Sequence, residues 1–139
     1  MTILITGAAG RTSGHVIRAL LQTEPAPPDL RFLVRSHASA HKLRERYKVD
    51  ASSIVVADYL EQKSLSPAFK NVDVVFHNGP VFHAQETAMG IALIDAAKQA
   101  GVKHFVYCSV LFPLLTKLLN HIAKLPYVAR VEELSGDPC

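Results

Sequence analysis

The stretch ITGAAGRTSGHVIRALL, residues 5–21, sets Gly7, Gly10 and Gly14 between an apolar run and an amphipathic one. Residues without side chains at this spacing bare the backbone. Amide hydrogens at the opening of a helix carry partial positive charge, so the chemistry they suit is holding an anion such as a phosphate. Gly7 is placed for a tight turn, Gly10 for close approach of backbone to a pyrophosphate, and a small residue beyond it for packing helix on strand. A P-loop is excluded, because that motif continues Gly-Lys-Ser/Thr and Gly14 is followed by His15. A purely structural glycine bend is the competing reading.

Such a bend holds a dinucleotide only when a strand precedes it and a helix follows, inside an alternating α/β chain. Apolar, β-branched runs predict strands at 2–6, 30–35, 53–57, 72–77 and 103–109. None alternates cleanly between apolar and polar, which points to strands covered on both faces, as in a parallel sheet. Helical patterns fill the gaps at 11–22, 38–48, 64–70, 82–100 and 113–124. In the first, Val16, Ile17, Leu20 and Leu21 share a face; in the fourth, Met89, Leu93, Ile94 and Ala97 point inward. Gly101 stands where a helix C-terminal glycine belongs. QTEPAPPDL, residues 22–30, reads as a proline-rich surface turn. The expected fold is an α/β, Rossmann-type three-layer sandwich with a five-stranded parallel sheet in the order 3-2-1-4-5.

The end of the second strand decides which dinucleotide fits. NAD binders place an acid there for the ribose 2′-hydroxyl. Asp29 is at about the right distance in sequence, but it precedes the strand and would stand at its far end. The near end reads Val-Arg-Ser-His, with Arg35 and Ser36 and no acid. A guanidinium there is suited to grip a 2′-phosphate, with Arg11 and Lys42 adding charge, so NADP(H) is preferred over NAD(H). An ordinary exposed arginine is the alternative. Asp58, past the third strand, is placed either to accept from the adenine amino group or to cap a turn. Asn78, Gly79 and Pro80, after the fourth strand, lie at the switch point between strands one and four. Ala9 and Thr12 inside the bend, Ser36 beside Arg35 and Tyr59 beside Asp58 complete the expected cofactor set.

Carbonyl reduction can use a Ser with a Tyr-x-x-x-Lys pair, the Tyr donating a proton and the Lys lowering its pKa, and beside a nicotinamide such a pair is expected after the fifth strand. Tyr59 and Lys63 have that spacing in YLEQK but follow the third strand, so the match reads as coincidence. After the fifth strand stand Ser109 and, in HIAK, His121 and Lys124, with no tyrosine four before the lysine. Ser109 is read as a catalytic hydroxyl or a strand-end cap, and Lys124 as a ribose contact or an exposed lysine. His37 and His41 form HxxxH without an evident third ligand, so no metal is expected. Cys108 reads as a buried strand residue.

Composition bounds the class. The 139 residues are 49% apolar and 19% charged, enough for one domain with a real core. No run is long and apolar enough to span a membrane, and MTILITG opens without a secretory pattern, so neither membrane nor export is expected. Two cysteines far apart, Cys108 and Cys139, build no disulfide framework; the expected compartment is cytoplasmic, with the nucleus open. Arg31, Arg35, Lys42, Arg44, Arg46 and Lys48 face one acid, Glu45, across residues 31–48. With only Phe32 and Tyr47 as aromatics there, this reads as a solvated face or local anion site rather than a nucleic-acid surface.

ILITGAAGRTSG, the Val-Arg closing the second strand, and ETAMGIALIDAAKQAGVKHFVYCSVLFPLLTKLLNHIAKLP resemble the NmrA-like branch of the atypical short-chain dehydrogenases/reductases. The likeness runs over residues 2–126 and is most specific in IDAAKQAGVKHFVYCS. It implies a Rossmann-type fold and NAD(P) binding, often with NADP(H) preferred, and cofactor roles for Gly7, Gly10, Arg11, Arg35, Asp58 and the turn around Gly79. Some members reduce small substrates; others are redox-responsive regulators. This chain has Ser13 at the family's third glycine, ends in VEELSGDPC like a helix cut short, and lacks the later strands that build a substrate pocket. The expectation is a truncated single domain over 1–139, with a sheet edge open to a protein partner. Three readings compete: a cofactor sensor, an NADPH-dependent oxidoreductase acting on a small carbonyl or quinone, and a remnant without folded function.

Overall fold

Strands and helices alternate along the chain, and the computed structural model describes residues 1–24, 28–80, 82–109, 122–126 and 129–130. The strands are β1 (Thr2–Thr6), β2 (Asp29–Val34), β3 (Ile54–Val56), β4 (Val74–His77) and β5 (His104–Tyr107). The helices are α1 (Arg11–Leu21), α2 (His37–Tyr47), α3 (Gln62–Phe69) and α4 (Glu86–Gln99). The sheet is parallel in the order β3-β2-β1-β4-β5, as the alternation of elements requires. Of the expected elements, the helix at 113–124 lies outside the described residues except for 122–124, and the centre of the proline-rich turn, 25–27, lies outside them too.

β1 is central, between β2 and β4, and its side chains alternate between two cores. Leu4 joins Leu33, Leu65, Phe69, Val75 and Leu93 under α3 and α4. Ile3 and Ile5 join Phe32, Val34, Ile17 and Leu43 under α1 and α2. Helices on both faces of one sheet explain why these strands read as continuous apolar runs.

Helix ends follow local chemistry. Ser36 caps α2 by accepting from the Ser39 amide at 3.2 Å. α4 closes in a Schellman motif: Gly101 takes φ +71°, its N–H donates to Lys98 O, and the Val102 N–H reaches back to Ala97 O. Met89, Leu93, Ile94 and Ala97 of α4 are buried as the periodicity requires. Two expectations need correction. α4 starts at Glu86 rather than 82, because Phe82 takes φ +60° outside helical space. Leu21 is 38% exposed; the buried residues of α1 are Ser13, Gly14 and Ile17, and Leu21, on the same stripe, stands in the last turn of the helix.

Candidate functional site

The chain leaves β1 at Gly7, whose φ of +56° is left-handed backbone. A side chain there would also drive into the Asn78 carbonyl. The Gly10 N–H donates to Gly7 O at 2.8 Å and closes the turn, and a Cβ on Gly10 would lie 3.0 Å from that same oxygen. Gly10 is the N-cap residue of α1, contributes no side-chain cap, and no acid follows in the first turn. The opening amides of α1 therefore keep their positive end toward solvent, with Ala9, Arg11 and Thr12 exposed around it.

The third small residue works differently from expectation. Ser13 is fully buried, donates to Thr6 O at 3.1 Å and accepts from Asn78 Nδ2 at 3.2 Å, so it pins α1 to β1 and β4. Gly14 instead admits the Tyr47 hydroxyl of α2, which donates to Gly14 O at 3.3 Å. A Cβ on Gly14 would lie 2.6 Å from that hydroxyl. Ser13 is thus a working substitute for glycine, and Gly14 serves helix-to-helix contact.

At the end of β2, Arg35 and Ser36 are exposed and no acid accompanies them. Asp29 sits at the opposite end, paired with Thr2 and accepting from its hydroxyl at 3.0 Å. Ser36 spends its oxygen on capping α2 and donates to Ser39 Oγ. A cavity of about 490 Å³ lies beside the turn, lined by Ala9, Lys42, Leu43, Glu45, Arg46 and Tyr47. Lys42 and Arg46 give its rim positive charge. Arg31 is not part of this patch: its guanidinium bonds Ala68 O and Lys70 O, tying β2 to the end of α3. Past β3, Asp58 accepts from the Leu60 amide at 2.9 Å, the turn-capping alternative.

Tyr59 requires the clearest correction. It is 2% exposed, its ring lies in the α3/α4 core, and its hydroxyl accepts from the Gly7 amide at 3.0 Å. Burial pushes the phenol's pKa up, so it stays protonated and donates to Leu33 O. Its hydroxyl is spent on the turn from beneath and is not offered to a cofactor. Lys63 lies exposed on α3, so YLEQK assembles no acid–base pair.

Beyond β4, the Asn78 amide donates to Thr6 Oγ1 at 3.1 Å, and its side chain is engaged with Ser13, so Asn78 braces the turn; Gly79 and Pro80 follow, half-buried. His77 lies fully buried with Nδ1 2.7 Å from Thr6 Oγ1, and its ring stacks on Tyr107 at 5.5 Å. Burial, aided by the Lys124 charge, pulls its pKa down to about 3, so it is neutral. Lys124 is not the exposed lysine of one sequence reading: it is 3% exposed, ion-paired with Glu86, and 5.9 Å from the centre of the Tyr107 ring. Ser109 is exposed two residues past β5. Cys108 is half-buried. His37 and His41 are both exposed on α2, and His41 lies 3.4 Å from Glu45.

Sequence reasoning missed Thr6, His77, Glu86 and Tyr107 as parts of this end of the sheet. A histidine closing the apolar run VVFH was the available signal for His77. Glu86 resembled any acid in a helix's first turn, where the dipole alone accounts for it.

The comparisons with known proteins agree with this architecture. An NAD(P)H azoreductase of Xenophilus azovorans is 40% identical over 104 residues, 75% of this chain and 34% of that protein. Quinone oxidoreductase 2 of Escherichia coli is 34% identical over 78% of this chain and 36% of its own length. This chain therefore spans about a third of the length of these curated relatives. The crystal structure of NADPH-dependent quinone oxidoreductase QOR2 from Escherichia coli complexed with NADPH superposes with a TM-score of 0.81 at 27% identity, over 95% of this chain and 45% of that one. The Citrobacter sp. triphenylmethane reductase complexed with NADP(H) gives 0.81 at 26% identity, over 97% and 46%. Residues 1–117 match the NmrA-like family. With the glycine turn, the sheet order and these likenesses together, the chain belongs to the NmrA-like family.

Proposed function

We propose that this chain binds NADP(H) in preference to NAD(H), with the diphosphate on the Gly7–Thr12 turn and the 2′-phosphate at Arg35. The observation that carries the reading is the α1 N-terminus, left without a side-chain cap or a first-turn acid, beside a β2 end that carries Arg35 and no carboxylate. Lys42 and Arg46, on the rim of the neighbouring cavity, add charge of the right sign. Asp58 has one oxygen on the Leu60 amide and is assigned the adenine edge with its other. Gly79 and Pro80 border the nicotinamide half. Calorimetric titration with NADP⁺ and NAD⁺ tests this directly. Arg35→Ala is expected to weaken NADP⁺ about tenfold or more and to leave NAD⁺ nearly unchanged. Equal losses would remove the 2′-phosphate role.

A bound NADPH supplies a hydride. Relatives named for azo and quinone reduction favour a second reading, in which the chain is part of an oxidoreductase acting on such acceptors. Ser109, exposed past β5, is then the hydroxyl assigned to the acceptor. Lys124, committed to Glu86, is assigned to docking its own segment rather than to the nicotinamide ribose. The sensor reading instead uses the β5 edge, where Val106 is half exposed, for a protein partner. NADPH consumption with a quinone panel separates the two: steady turnover selects the oxidoreductase, and tight NADP(H) binding without turnover selects the sensor.

A further inference from the structure

We infer that the Tyr59 hydroxyl, together with the Ala8–Leu33 backbone bond, sets the spacing between the glycine turn and the Arg35 end of β2, making Tyr59 a positioning residue for the choice of NADP(H) over NAD(H). The inference rests on the reading just proposed.

Gly7 is where β1 leaves the sheet, and its half-buried amide would lose its partner as the strands diverge. Tyr59 Oη supplies one, accepting from Gly7 N–H at 3.0 Å while donating to Leu33 O at 3.3 Å. The Ala8 N–H converges on that same Leu33 oxygen at 3.4 Å. One phenol oxygen thus joins the first residue of the turn to a β2 residue two positions before Arg35. The ring belongs to the buried core that also holds Leu4, Leu33, Phe69 and Val75.

The consequence is a fixed span. NADP⁺ must satisfy the turn and Arg35 together, whereas NAD⁺ lacks the second anchor. A turn free to shift relative to β2 loses preorganisation for the two-point ligand more than for the one-point ligand.

Tyr59→Phe keeps the ring in the core and removes the hydroxyl's part of the tie, leaving the Ala8–Leu33 bond in place. In calorimetric titrations it is expected to weaken NADP⁺ about tenfold and NAD⁺ no more than about threefold, so that the preference narrows. Leu65→Ala, in the same core but outside the tie, is expected to lower thermal stability and leave the preference unchanged. A second readout needs no cofactor: amide exchange at Gly7, measured against Ile5 in the same strand, is expected to accelerate in Tyr59→Phe. Unchanged Gly7 exchange overturns the tie. Faster exchange with an unchanged preference overturns its role in specificity, as does a Leu65→Ala protein that narrows the preference equally. If the wild-type chain binds neither dinucleotide, the proposed function and the specificity role fall together, while Gly7 exchange still decides the tie.

Discussion

The two ends of the sheet's crest solve different problems. At β1 and β2 the candidate site is made of backbone: a left-handed Gly7, a side-chain-free N-cap at Gly10, and an exposed arginine. At β4 and β5 it is made of polar side chains gathered from far apart, the buried His77, Glu86 and Lys124 with the half-buried Tyr107. The first region draws its charge from amide dipoles, which cost nothing to desolvate beyond the helix itself. The second keeps formal charges out of water and holds only while the partners stay together. The two meet at Thr6, which accepts from Asn78 on the turn side and bonds His77 on the other.

The sharpest way to break this contrast is to remove one member of the buried ion pair in the second region. Glu86→Gln leaves the Lys124 ammonium buried without its carboxylate, and a loss of about 3–5 kcal/mol is expected from denaturant unfolding. Adding Lys124→Met to Glu86→Gln should recover much of it. A single variant as stable as wild type would mean that the pair is open to solvent.

The backbone region is more tolerant energetically and less tolerant functionally. Gly7→Ala meets both the left-handed φ and the Asn78 carbonyl, with an expected cost of up to about 3 kcal/mol and loss of NADP⁺ binding. Undiminished titration heats in that variant would show that the turn does not hold the diphosphate.

A pH series probes the junction. The folded His77 titrates near 3 against a free value of 6.5. Between those values the unfolded chain binds the extra proton, so stability is full above about pH 6.5 and falls as the pH drops. At pH 5 the loss from this one group is about 2 kcal/mol, and His77→Gln should flatten the difference between melting curves at pH 7 and pH 5. The smallest effect belongs to a surface pair. Lys103 holds Asp73 at 2.7 Å and its carboxyl below the usual range, yet both reach solvent, and Lys103→Met should leave the melting midpoint indistinguishable from wild type.

Much of the fold was legible because its signals are local. The apolar runs located every strand of the sheet, Gly101 marked the end of α4, and the absence of an acid after Val34 survived intact. Expectations slipped where a single backbone angle ruled, as at Phe82, or where a helix ends, as at Leu21. Tyr59 was legible as a residue near the site and illegible in its role. Nothing in the letters YLEQK says that the ring enters the core and turns its oxygen toward Gly7.

Residue order alone determined the alternation of elements, the parallel sheet and the glycine bend between β1 and α1. Those follow from side-chain periodicity and from the lack of a Cβ, properties a residue carries wherever it is placed. Tertiary structure decided that Ser13 replaces a glycine by bonding Thr6 and Asn78, and that Lys124 pairs with Glu86 in the interior. It also decided that Tyr59 braces the turn from below. Each of those is a contact between segments distant in the chain, and its energy depends on burial and direction, which only the folded arrangement supplies.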